Sequence, residues 1–160
     1  MLTLELARNL CEISRETNRQ VGVLISRKGD IHLVVVGDHR QLLIPSLDAF
    51  RSGESRLKGL RLVHTHLNGE ALTRDDLTDL ALLRLDYISA VTVEEDWQPG
   101  PTHSAHLLPE NPDGRYWLQT EPVHPARMDL DFAGFIRDLE DQIARRQRTR
   151  RVASRERAIL

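Results

Sequence analysis

The run Leu60-Arg61-Leu62-Val63-His64-Thr65-His66, with Thr73-Arg74-Asp75-Asp76-Leu77 close behind it, constrains this chain more than any other stretch. Side chains alternate along a strand, so histidines two residues apart at the end of an apolar run present both imidazoles on one face. A helix start about ten residues on brings carboxylates back to the same sheet edge. Two imidazole nitrogens and one Asp oxygen, from Asp76 or Asp75, make a reasonable half-cage for zinc with a fourth position open.

The same residues have a plainer structural reading. Thr73 stands before a helical pattern with Asp76 three residues on, which is a capping box: the Thr hydroxyl accepts the third amide of the helix and the Asp reaches back to the Thr amide. Asp75, Asp76 and Asp79 also suit the positive end of a helix dipole. Alternate histidines on a half-buried strand can simply be packing. Both readings stay open on the sequence.

With 160 residues, 40% apolar and 29% charged, the chain reads as one soluble globular domain large enough for a core. No apolar run approaches the length of a membrane span, and Met1-Leu2-Thr3-Leu4-Glu5 lacks the features of a secretory signal. A cytoplasmic location is therefore expected. The lone Cys11 excludes an internal disulfide and a Cys-rich zinc site, and it reads as a small packed residue. The net charge of −2 conceals an asymmetry. Seven arginines fall between 145 and 157 against the single acid Glu156. Such an end can neutralise RNA phosphates through residues such as Arg148, Arg150 and Arg151, or can simply be a solvated helix end. No aromatics are interleaved to stack on bases.

Periodicity orders the elements. Leu6, Leu10 and Ile13 predict a helix over about 3–18. Residues 20–26 and 31–37 predict a hairpin turning at Lys28-Gly29-Asp30, with a short third strand at 41–45. The histidine strand spans 60–66, and a helix over 74–85 turns Leu77, Leu80, Ala81 and Leu85 inward. Strands follow at 87–93, 103–108 and 116–119. Asp129 or Asp131 caps a last helix with the stripe Phe132, Phe135, Ile136, Leu139 and Ile143. The expected architecture is α/β of the α+β kind: three layers, with a central mixed sheet flanked by helices. A globular unit of 1–144 would be followed by an Arg-rich linker over 145–160.

At this order of elements the chain resembles the JAB/MPN (JAMM) metalloprotease fold, which is cytidine-deaminase-like. His64-Thr65-His66 and Thr73-Arg74-Asp75-Asp76 stand where that family has His-x-His and Ser-x-x-Asp. There are departures. Leu67 follows the second His where the family has Pro, and the intervening loop is one residue shorter. The family's catalytic Glu lies three residues before a Gly that resembles Gly22, and here that position is Arg19, beside Gln20. A general base is missing where the mechanism needs one.

A second resemblance runs along nearly the whole chain. Val35-Val36-Gly37-Asp38, the Gly59–Leu67 run and the block Asp75-Asp76-Leu77-Thr78-Asp79-Leu80 resemble the N-terminal extension of long HflX-type ribosome-associated GTPases. Arg155-Glu156-Arg157-Ala158-Ile159-Leu160 resembles the junction to the next domain. The resemblance implies a segment cut before the nucleotide-binding part, so that GTP would bind only in the missing portion. The chain carries no Gly-x-x-x-x-Gly-Lys-Ser/Thr loop. The implied role is a non-catalytic docking or regulatory domain, with the rest of the GTPase and the large ribosomal subunit as partners, no membrane and no expected cofactor. The other expectation is a zinc-dependent peptidase or isopeptidase using His64, His66 and Asp76 (or Asp75), with Glu70 or Glu16 as a displaced base.

Other chemistry-bearing residues read as structural. His32 and His39 flank a hairpin strand and should be exposed. His103 and His106 lack the spacing of a ligand pair with each other, and His124 lies in a loop. Trp97 and Trp117 border Pro/Gly-rich loops and cover core edges. Ser46, Ser52 and Ser55 lack the Gly-x-Ser-x-Gly setting of a serine nucleophile.

Overall fold

The structure, a computed structural model, describes residues 2–42, 44, 59–107 and 117–129, together with positions 137, 141, 144, 145 and 148. Helix α1 (Leu4–Thr17) starts where Thr3 caps it, its hydroxyl accepting the Leu6 amide at 3.1 Å, and stops at Asn18 in the left-handed region. Ala7, Leu10 and Cys11 recur at helical spacing on its buried face. Strands β1 (Val21–Ser26) and β2 (Ile31–Val36) form the expected hairpin, with Gly29 at φ +95° in the turn. Strand β3 (Leu60–His66) carries the histidines. Helix α2 (Arg74–Leu82), β4 (Tyr87–Val93), β5 (Pro99–Leu107) and β6 (Trp117–Gln119) complete the order.

The strands make one mixed sheet in the order β2-β1-β3-β4-β5-β6. Only β3 and β4 run parallel, because α2 is the crossover between them, and every other pair is antiparallel. Alternation divides the strands into two faces. Val21, Val23, Ile25, Val63, Tyr87 and Val91 pack with Leu10 and Cys11 of α1. Leu24, Leu62, Ile88 and Ala105 pack with Leu80 of α2. The result is the expected three-layer arrangement of helix, mixed sheet and helix. No described helix is long and apolar enough to cross a membrane.

Several boundaries differ from expectation. Gln41, Leu42 and Ile44 are not strand, and Leu42 and Ile44 pack into the α2-side core instead. Helix α2 ends at Leu82, because Arg84 turns left-handed at φ 55° and reverses the chain into β4. Strand β5 begins at Pro99 rather than 103. Its Pro99-Gly100-Pro101 start reads as a breaker, yet it is accommodated where the β4 register shifts between Val91 and Val93.

Asp129 does not cap the last helix. The backbone already turns helically at Pro125–Arg127 behind a His124 cap, and Asp129 Oδ1 accepts the Leu4 amide at 2.8 Å. That is an orphan donor at the start of α1. Positions 137, 141, 144, 145 and 148 are helical, with Arg145 and Arg148 exposed. Asp131, the stripe residues Phe132, Phe135, Ile136, Leu139 and Ile143, and Arg150 and Arg151 lie outside the described residues.

Candidate metal centre

Strand β3 and the first turn of α2 bring His64, His66 and Asp76 together on the α2 face of the sheet. One ligand atom from each lies within 4.8 Å of the others. His64 Nε2 stands 2.9 Å from His66 Nε2 and 3.0 Å from Asp76 Oδ1, and His66 Nε2 stands 3.3 Å from Asp76 Oδ2. His64 is fully buried, His66 nearly so, and the Asp76 side chain is 13% exposed.

Two of the three members are held from behind. His66 Nδ1 lies 2.9 Å from the Glu70 carbonyl, a partner that can only accept, so Nδ1 carries the hydrogen and Nε2 offers its lone pair inward. Asp76 Oδ2 accepts the Thr73 amide at 2.7 Å and the Thr73 hydroxyl at 2.8 Å. The Asp76 amide in turn donates to Thr73 Oγ1 at 3.2 Å. The capping box and the ligand reading are therefore not rivals: one carboxylate closes the helix cap and faces both imidazoles.

The strand end is fixed from the opposite face. Thr65, between the histidines, accepts the Val21 amide at 3.0 Å and shares a 2.8 Å hydrogen bond with Ser14 of α1. On the triad face the neighbours of His64 are small. Its partner on β1 is Gly22 and its partner on β4 is Ala90. A Cβ on Gly22 would lie 3.0 Å from His64 Cβ and 2.8 Å from Leu42 Cδ2, so the imidazole fits because no side chain stands there.

Burial works to raise the Asp76 pKa, but hydrogen bonds from both histidines, the charge of His64 and the Thr73 amide overcome it and hold the carboxyl well below its usual range. Burial pushes His64 down despite Asp76. For His66 the hydrogen bond and charge of Asp76 outweigh burial and push it up.

Chemically, the donor set fits a small divalent cation. Ligand atoms at the corners of a tetrahedron with bonds of ~2.0–2.1 Å stand about 3.3 Å apart; the two imidazole nitrogens lie 2.9 Å apart, with one Asp76 oxygen 3.0 Å from His64 and the other 3.3 Å from His66, a triangle of contacts of that order. Each ring hydrogen points along a single direction, so hydrogens cannot serve all three edges of this triangle, whereas a cation within it faces every lone pair. The carbonyl behind His66 and the hydroxyl and amide behind Asp76 are the outer contacts that orient metal ligands.

The remaining candidates fall elsewhere. Asp75 is exposed and outside the cluster. Glu70 contributes its carbonyl, and its side chain is exposed. Glu16 is exposed on α1, the helix of the opposite face. Cys11 is buried in the α1-side core, where desolvation pushes its thiol up to about 12. His32 and His39 are exposed.

Sequence reasoning named Gly22 and Gln20 only in the family comparison, did not name Ala90, and set none of them beside the histidines. Their relation to the histidines is a matter of strand register, which a linear pattern does not state. Continuing the β1 alternation two residues back from Gly22 puts Gln20, only 4% exposed, on the triad face. No protein-family model matches this chain, and no curated protein or solved structure matches it either.

Proposed function

We propose that this chain is a docking or regulatory domain of a ribosome-associated GTPase of the HflX type, built on a JAB/MPN-like fold whose metal centre serves structure rather than hydrolysis. The observation that carries the non-hydrolytic reading is the pairing of an organised His-His-Asp cluster with an amide, Gln20, on its face of the sheet. A neutral amide cannot take a proton as a general base. Glu70 and Glu16, the displaced acids that a hydrolase would recruit, are exposed and make no described contact with the ligand atoms through their carboxylates.

A bound Zn2+ would supply Lewis acidity and a fixed charge at the junction of β3 and α2. His64, His66 and Asp76 would hold it. Glu70 and Thr73 orient two of those ligands, and Ser14 and Thr65 tie the strand end to the opposite layer. Loading would therefore stiffen the sheet centre against α2, which suits a domain that presents a fixed surface to a partner. The sequence block from Asp75 to Leu80 and the absence of a phosphate-binding loop support a segment that depends on a GTPase elsewhere in the protein. The arginines at 145–157 suit phosphate contacts on the large ribosomal subunit.

Ribosome pelleting of the full-length GTPase at two salt concentrations tests this reading. Reversing the charge of Arg148, Arg150 and Arg151 should reduce pelleting, most clearly at low salt, and deleting this domain should reduce it further. Equal pelleting of all three proteins would contradict it.

The second reading, a zinc-dependent peptidase or isopeptidase, is favoured by the convergence of the three ligands. A cleft of about 420 Å3 borders the loop after His66 and is lined by Leu67, Trp97, Glu94 and Glu95. Turnover of a peptide or isopeptide substrate by the zinc-loaded chain, lost in His64→Ala, would establish that reading over the first.

A further inference from the structure

Strand register sets a third histidine in line with the cluster. His64 on β3 pairs with Ala90 on β4, and Ala90 pairs with His103 on β5. Directly paired residues share a face, so His64, Ala90 and His103 stand in one row on the α2 side of the sheet. The face assignment agrees with the neighbouring row, where Leu62, Ile88 and Ala105 belong to one core cluster under α2.

Along this row the residue between His64 and His103 is Ala90, whose side chain is a single methyl group. Their Cα atoms are two strand spacings apart, about 10 Å. An imidazole nitrogen lies about 4–5 Å from its Cα and a zinc–nitrogen bond adds ~2.0–2.1 Å, so a common ion is within reach of both rings. His103 is only partly buried. Its ring is not yet among the three mutually close ligand atoms.

We propose that His103 is the fourth protein ligand of the metal centre, turning over Ala90 to close a His3Asp site around a divalent cation. This rests on the metal reading given above and sharpens it. Structural zinc sites are closed by four protein ligands, whereas catalytic sites keep a position open. A third imidazole in that position gives the centre a structural character and accounts for a ligand set organised without a general base beside it.

Zinc and cobalt(II) titrations of the 160-residue chain, with a competing chromophoric chelator, test the proposal. The wild type should bind one equivalent of either ion and give the intense visible bands of tetrahedral cobalt. His103→Ala should weaken binding by about tenfold or more. Its cobalt bands should fade as solvent raises the coordination number, and added imidazole should restore them. His103→Gln, which keeps a polar side chain of similar reach, should show the same loss of band intensity with an unchanged far-UV spectrum. His32→Gln, an exposed histidine on β2, should leave both readouts at their wild-type values. Wild-type affinity and bands in His103→Ala would overturn the fourth-ligand assignment and leave the three-ligand centre standing. Failure of the wild type to bind either ion would overturn both.

Discussion

The two faces of β3 do different work. Val63 on the α1 face is fully buried in an apolar cluster with Leu10, Val23 and Tyr87. Even the polar Thr65 on that face is satisfied, by Ser14 and the Val21 amide. One residue along, His64 and His66 are just as buried on the α2 face, yet they face each other and a carboxylate across 2.9 to 3.3 Å. A strand that buries imidazoles beside an apolar core gives up packing on that side. At this end of the strand the α1 face is closed by apolar packing, while the α2 face holds a cluster of polar groups able to bind a cation.

The largest effect should come from breaking the first face. Leu10→Ala removes a side chain that is 2% exposed and should cost about 3 kcal/mol, read by urea unfolding. Metal affinity measured under native conditions should hardly change. A parallel loss of affinity would mean that the faces are not separable.

Asp76→Ala should have the next largest effect on stability and the larger one on metal. It removes a helix cap and leaves two buried imidazoles without their carboxylate, a loss of about 2 kcal/mol in the presence of chelator. A change below about 0.5 kcal/mol, the usual size for a surface substitution, would show that the carboxylate is not part of the apo fold.

Gly22→Ala tests the space beside His64. The added methyl would crowd His64 Cβ and Leu42, costing about 1 kcal/mol and shifting His64 within the cluster. Weakened metal binding with near-normal stability is the expected pattern, and unchanged metal binding would show that the glycine does not position the ring.

Smallest and most specific is the pH dependence of the apo chain. An unfolded Asp76 takes up its proton near pH 4, while the folded one resists to lower pH. The unfolded state then binds more protons, so stability falls as pH drops through about 4. Below about pH 6.5, His64, held low by burial, adds to that loss. His66, held high by Asp76, opposes it, because its contribution is present at low pH and is lost as pH rises through its folded pKa. Asp76→Asn should flatten the acid limb of urea midpoints measured from pH 3 to 8. An unchanged limb would place the acid sensitivity elsewhere.

Much of this was legible in the sequence because it is local. The hairpin, the histidine strand, the Thr73 cap and the span of β4 are set by alternation, by turn residues and by a cap within a few positions. The histidine pair and Asp76 could be named for the same reason, since i, i+2 on a strand and the third residue of a helix are fixed geometries. What escaped is non-local. Gly22, Ala90 and His103 join the site only through strand order and register, and the spacing of His103 from His64 along the chain conceals that they share a row. The outer contacts escaped too. Chief among them is the Glu70 carbonyl behind His66. Backbone atoms leave no trace in a residue pattern.

The central claim is that His64, His66 and Asp76 are a metal centre and not a buried polar knot. Elemental analysis of the chain purified without chelator, beside a His64→Ala, His66→Ala double variant, tests it most directly. The account predicts about one equivalent of zinc in the wild type and none in the variant. Metal-free wild type that takes up no zinc on addition, or equal zinc in both proteins, would contradict it.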